Sequence, residues 1–147
     1  MREILFRGKT KEGIWVIGQH LVYDPKGYTC LERSAHLIFN DPDVFGCGVC
    51  IHGDDVYSNT IGQYVGMTDK RGKKIFEGDI VKDAKGNVGY IVYLQQDAGW
   101  AIAWDYHDSR MGHRTRGCNY YTDASLEVIG NIHDNPELIK QIGRAHV

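Results

Sequence analysis

Between Val88 and Trp104, large apolar residues recur at every second position on two runs, which are joined by Gln95-Gln96-Asp97-Ala98-Gly99. Successive side chains of a strand face opposite ways, so this pattern folds as a β-hairpin and not as a helix. On the second run Trp100, Ile102 and Trp104 share one face, and Ala101 and Ala103 share the other. On the first run Val88, Tyr90, Val92 and Leu94 share a face. Residues this large belong in a core. The competing reading of the same stripe is an exposed aromatic platform that stacks a base or a sugar.

The rest of the chain follows the hairpin. Apolar residues at helical spacing over three turns occur nowhere before the C-terminal end. Strands are predicted over 3–7, 14–23, 29–31, 35–39, 62–64, 80–82, 87–94, 100–104 and 127–130. Turns separate them at Asp24-Pro25-Lys26-Gly27, Asp69-Lys70-Arg71-Gly72 and Asp83-Ala84-Lys85-Gly86-Asn87. The segment 40–59, dense in Gly and Asp, reads as a long loop or a linker. Asn135-Pro136-Glu137-Leu138 starts a short helix: Asn135 caps it, Pro136 suits its first position and Glu137 meets the positive end of the dipole. It runs to about Gln141 or Ile142, with Gly143 as its stop.

Composition bounds the class. A chain of 147 residues buries about 70% of the surface its unfolded form exposes, enough for a core of its own. With 42% hydrophobic and 24% charged residues it reads as globular, not disordered. A net charge of -2 argues against a broadly basic nucleic-acid binder. Arg7, Lys9, Lys11 and Glu12 break up the opening apolar run, so no secretory leader is predicted, and no stretch reaches the length of a membrane span. A cytoplasmic protein follows as the expectation, with Cys30, Cys47, Cys50 and Cys118 as thiols.

Three blocks then carry a resemblance. The first is Met1-Arg2-Glu3-Ile4-Leu5-Phe6-Arg7, followed by Trp15 among strand formers. The second runs from Gly62 to Val81 and contains Asp69-Lys70-Arg71-Gly72 and Glu77-Gly78-Asp79-Ile80-Val81. The third is Leu126-Glu127-Val128-Ile129-Gly130-Asn131-Ile132-His133-Asp134-Asn135-Pro136-Glu137-Leu138. In this order and spacing they resemble the YopX family of phage and prophage proteins. The resemblance implies a small, mostly β protein with an SH3-like barrel, encoded by a phage or prophage and acting in the bacterial host cell. It brings no catalytic residue and no cofactor. The residues themselves read the central block as structural. Gly78 is free to take a positive φ, and Asp79 is placed to bond the backbone of its own turn.

Several constellations are weighed as chemistry. Cys47-Gly48-Val49-Cys50 can chelate zinc, with Cys30, His36 and His52 as the nearest further ligands. No second such pair exists, as a zinc ribbon requires, and two small apolar residues in a turn or strand is the simpler account. A redox pair lacks the strand–helix setting, and Ile51 breaks a haem-attachment motif. His107, Asp108, His113 and Cys118 fall in the polar stretch 106–121, which reads as an exposed hairpin tip or loop. Lys70, Arg71, Lys73 and Lys74, with Arg110, His113, Arg114 and Arg116, are candidates for a nucleic-acid-binding patch in which Tyr120 and Tyr121 stack bases.

The resulting expectation is an all-β protein. A β segment over 1–58 packs on or completes an SH3-like barrel region over 59–142, with the short helix at its end and 143–147 as a tail, in one compact unit. Its function is read as non-enzymatic binding of a host or phage protein, its own copies included, without a cofactor. Nucleic-acid binding through the basic loops is the second reading, and a zinc-stabilised module through Cys47 and Cys50 the third.

Overall fold

The computed structural model describes residues 3–23, 35–40, 43–45, 48–50, 53–104, 108–111, 120–121 and 126–140. It is mostly β-strand in two main sheets with one short helix, so the all-β reading stands. The chain divides into two compact units, Met1–Tyr64 and Val65–Val147.

In the first unit, β1 (Phe6–Lys9), β2 (Trp15–Tyr23), β3 (Ala35–Phe39) and β6 (Gly53–Val56) lie in the order β6-β3-β2-β1, with the start of β7 (Gly62–Thr68) beyond β1. Each of these pairings is antiparallel. Between β3 and β6, β4 (Asp43–Phe45) and β5 (Gly48–Cys50) form a hairpin of their own. The segment read as a loop or linker thus carries three strands. Each is only 3 or 4 residues long, too short for an alternating pattern to register. Thr60 is buried where the chain returns: its hydroxyl accepts from Lys9 N at 2.9 Å and donates to Tyr57 O at 2.6 Å. The strand predicted over 29–31 and the turn at Asp24 lie outside the described residues.

In the second unit, β7 ends and β8 (Lys74–Phe76), β9 (Asp79–Lys82), β10 (Val88–Leu94), β11 (Gly99–Ala103), β12 (Asp108–Met111), β13 (Tyr120–Tyr121), β14 (Glu127–Asn131) and α1 (Pro136–Lys140) follow. Its six-stranded sheet has the order β13-β12-β11-β10-β9-β14 and is antiparallel except between β12 and β13. Among the described residues this ladder is linear, so hydrogen bonds do not close the expected barrel.

Both faces of the hairpin are covered. One side packs Ile91, Ile102 and Trp104 with Val65, Ile75, Val81 and Leu126, and Trp100 lies against this cluster. The other side packs Tyr90 and Ala103 with Ile80 and Ile139 of α1, joined by Val88, Val92 and Leu138. Trp104 is buried, so that indole is core and not an exposed platform. Gly89 makes room for it: a Cβ there would stand 2.8 Å from Trp104 Cε3 and 2.7 Å from Ile102 Cγ2.

The central turns form as the residues suggest. Gly78 has φ +89°, its N–H donates to Ile91 O at 3.0 Å and its carbonyl accepts from Ile132 N at 2.8 Å. Buried Asp79 accepts from Phe76 N at 2.8 Å, which closes that turn. At the helix start the expectation needs correction. Asn135 Oδ1 accepts from Asn131 N, behind it in the chain, and it is the Asn135 carbonyl that accepts the first helical bond, from Leu138 N. The close packing of Asn135 over Gly130 holds the side chain in that backward direction. Glu137 does occupy the first turn.

Candidate functional site

The polar groups with the most chemical potential gather in the N-terminal unit. Register builds the arrangement. His20 of β2 lies opposite Ile38 of β3, and His36 lies opposite Val22, so the two imidazoles are diagonal neighbours on one face of the sheet. His20 Nε2 and His36 Nδ1 are 2.9 Å apart, and their rings lie edge to edge and nearly parallel, 5.1 Å between centroids with 15° between planes. The Phe6 ring of β1 lies at 5.5 Å from His20. Burial, and then the charge on His36, hold the His20 imidazole below the usual histidine range.

His36 also lines an open cleft of about 310 Å³, with Lys11, Tyr23, Ala35, Asp55, Tyr57 and Ser58 around it. Tyr23 OH donates to Asp55 Oδ1 at 2.7 Å, a bond from β2 across β3 to β6. That bond pushes the Tyr23 phenol above its ordinary range, because it favours the protonated form. Next along the sheet, the Arg7 guanidinium lies 4.9 Å from the Trp15 ring centroid, and Lys9 Nζ lies 5.9 Å from the same centroid. None of these groupings was legible in advance. His36 entered only as a remote zinc ligand, and the partners of Tyr23 and Trp15 depend on strand register.

The residues singled out by sequence are placed as follows. Cys30, Cys47 and His52 lie outside the described residues, and Cys50 is described only as backbone in β5. Among the described residues no three of His, Cys, Asp or Glu gather where they would hold a metal ion. His107, His113, Arg114, Arg116 and Cys118 also lie outside. Asp108 and Arg110 sit on β12, and Tyr120 and Tyr121 form β13.

Lys70, Arg71, Lys73 and Lys74 come together, exposed, on and beside the turn after β7. Arg71 and Lys70 both pair with Glu127. Arg71 Nη2 meets Glu127 Oε1 at 2.9 Å, and Lys70 Nζ meets Glu127 Oε2 at 3.3 Å. The bond from Lys70, followed by the charges of Arg71 and its neighbours, holds the Glu127 carboxyl below its usual range. Beneath them, buried Asp69 accepts from Arg71 N and Lys73 N at 2.9 Å and from Val128 N at 3.1 Å.

Fold and site define a small all-β protein whose central turns are locked by buried aspartates and whose N-terminal unit carries a polar cleft. The chain belongs to the YopX family: the family model described as "YopX protein" matches residues 7–140. The fold is also similar to that in the crystal structure of protein EF1440 from Enterococcus faecalis. The two are 24% identical, the match covers 95% of this chain and 99% of that one, and the TM-score is 0.55. No curated protein matches the chain. Among the described residues, no helix is long and apolar enough to cross a membrane.

Proposed function

We propose that this YopX-family protein is a non-enzymatic, phage- or prophage-encoded module that binds a protein inside the bacterial host cell. One asymmetry supports the reading. Of the large apolar side chains left exposed among the described residues, Ile4, Ile14, Ile17, Val22 and Tyr57 belong to the N-terminal unit, and only Tyr93 belongs to the other. Among the described residues the buried apolar ones are distributed the opposite way, with Ile38, Val56 and Tyr64 in the N-terminal unit and the rest in the other. Ile17 and Val22 stand on opposite faces of β2, about half exposed each, so neither face of that strand is fully covered. We read these exposed side chains as surface that a bound partner would cover.

The test is a pull-down with the tagged protein from host lysate, split into nuclease-treated and untreated halves. A specific protein retained after nuclease supports the reading. Proteins lost with the nucleic acid overturn it.

Nucleic-acid binding through Lys70, Arg71, Lys73 and Lys74, extended by Arg110, Arg114 and Arg116, is the second reading. The exposure of all four lysine and arginine side chains around one turn favours it. Against it stands Glu127, which pairs with two of them. Affinity for short DNA or RNA that falls steeply with salt would decide for it.

A further inference from the structure

We infer that His20 and His36 form a proton-operated latch between β2 and β3, closed with no added proton or one and opened by a second. The bond requires one ring nitrogen to carry hydrogen and the facing one to offer its lone pair. The first added proton goes to the remote nitrogen of the donor ring. That ring becomes an imidazolium, and its bond to the neutral partner is retained and strengthened. The second proton has one place left, the lone pair that accepts the bond. Two N–H groups would then face each other across 2.9 Å, on two cations held edge to edge. Either tautomer gives the same two steps.

The surroundings do not offset that second charge. Against His20 lie the Phe6 ring from β1 and, in register on β3, Ile38. Opposite His36 stand Val22 on β2 and Val56 on β6. Among the described residues, the titratable and charged groups near it are those lining the cleft: Lys11 from the turn after β1, Tyr23 of β2 and Asp55 of β6. Lys11 and Asp55 carry opposite charges, and the Asp55 carboxylate already accepts from Tyr23. The lowered proton affinity of His20 agrees in direction. Because His36 is a wall of the cleft, opening the latch moves that wall. Mild acid would therefore reshape this end of the N-terminal unit while leaving the aspartate-locked turns of the other unit in place.

The test is an NMR titration of the full chain from about pH 8 to 4.5, following the imidazole C–H signals and the amide exchange of Leu21, Val22 and Leu37. Variants His20→Gln and His36→Gln assign the signals. In the wild type the pair is expected to titrate in two separate steps, the later one below the ordinary histidine range because it places a second charge beside the first. Exchange at the three amides, corrected for its intrinsic rate, is expected to rise about tenfold through the later step. In His20→Gln the side-chain amide can donate to neutral His36 or, turned over, accept from charged His36. That variant should show a single imidazole step at the latch position and flat exchange. Coincident wild-type titrations near 6.5 with flat exchange would overturn the latch. So would an acid-induced rise in exchange that persists in His20→Gln. The wild-type titration decides by itself if the variants fail to fold.

Discussion

Asp69 and Val128, fifty-nine positions apart, are joined by a hydrogen bond of 3.1 Å from the Val128 N–H to the Asp69 carboxylate. Lys70 N donates to Leu126 O at 2.8 Å beside it, and Ile132 N donates to Gly78 O at 2.8 Å further along. The central and C-terminal sequence blocks that carry the family resemblance therefore meet through their backbones. Asp69 takes the place of a neighbouring strand at the outer side of β14, satisfying an N–H that would otherwise lie open there.

Asp69→Ala leaves the N–H groups of Arg71, Lys73 and Val128 without their acceptor. The expected loss is about 1.5–3 kcal/mol, the range for hydrogen bonds to a charged group, read from urea unfolding. The acid limb carries a second signature. Burial alone would raise the carboxyl's pKa, but the three backbone donors outweigh it and hold it below the usual range. A carboxyl depressed in the folded state stabilises above its unfolded value of about 3.9, and that contribution disappears as pH falls through the folded value. Wild-type stability should decline below about pH 4, and Asp69→Asn should lose that part of the decline.

Trp104→Ala empties a buried indole from the cluster it shares with Ile91, Ile102 and Leu126. A loss of about 3–5 kcal/mol is expected in equilibrium unfolding. An unchanged melting temperature would mean that the ring is not part of the core.

Gly89→Ala tests the same packing from the opposite strand. The added methyl would stand 2.7 Å from Ile102 Cγ2, 2.8 Å from Trp104 Cε3 and 3.0 Å from Ala103 O. Overpacking of this kind costs about 1–3 kcal/mol, visible as a lower urea midpoint with the slope preserved.

Cys47→Ser combined with Cys50→Ser addresses the zinc reading. The pair has no second pair of its kind in the sequence, so near-wild-type melting is expected, along with a metal content near zero after purification under reducing conditions. Stoichiometric zinc, or melting that falls on addition of a chelator, would instead establish a metal module.

What could be read from sequence was local and periodic. The hairpin faces of Trp100, Ile102 and Trp104 follow from the two-residue period alone, and the turns at Gly72, Gly78 and Gly86 follow from residue chemistry. Asp79 and its turn were legible because donor and acceptor lie three residues apart. The His20–His36 and Tyr23–Asp55 pairs were not, since each depends on which residues of β2, β3 and β6 stand opposite one another. The Asn135 side chain was misread because the turn over 131–135, closed by Asn135 N donating to Asn131 O at 2.9 Å, offers its amide oxygen the Asn131 N–H in place of a helix N–H.

The most direct measurement of the binding reading is nuclease-treated capture from host lysate by the wild type, set against an Ile14→Lys, Ile17→Lys variant of unchanged melting temperature. Both positions are exposed in the N-terminal unit, so the fold should tolerate the charges. The predicted result is a specific protein retained by the wild type and lost from the variant. Equal capture by both, or capture that vanishes with the nucleic acid, would contradict it.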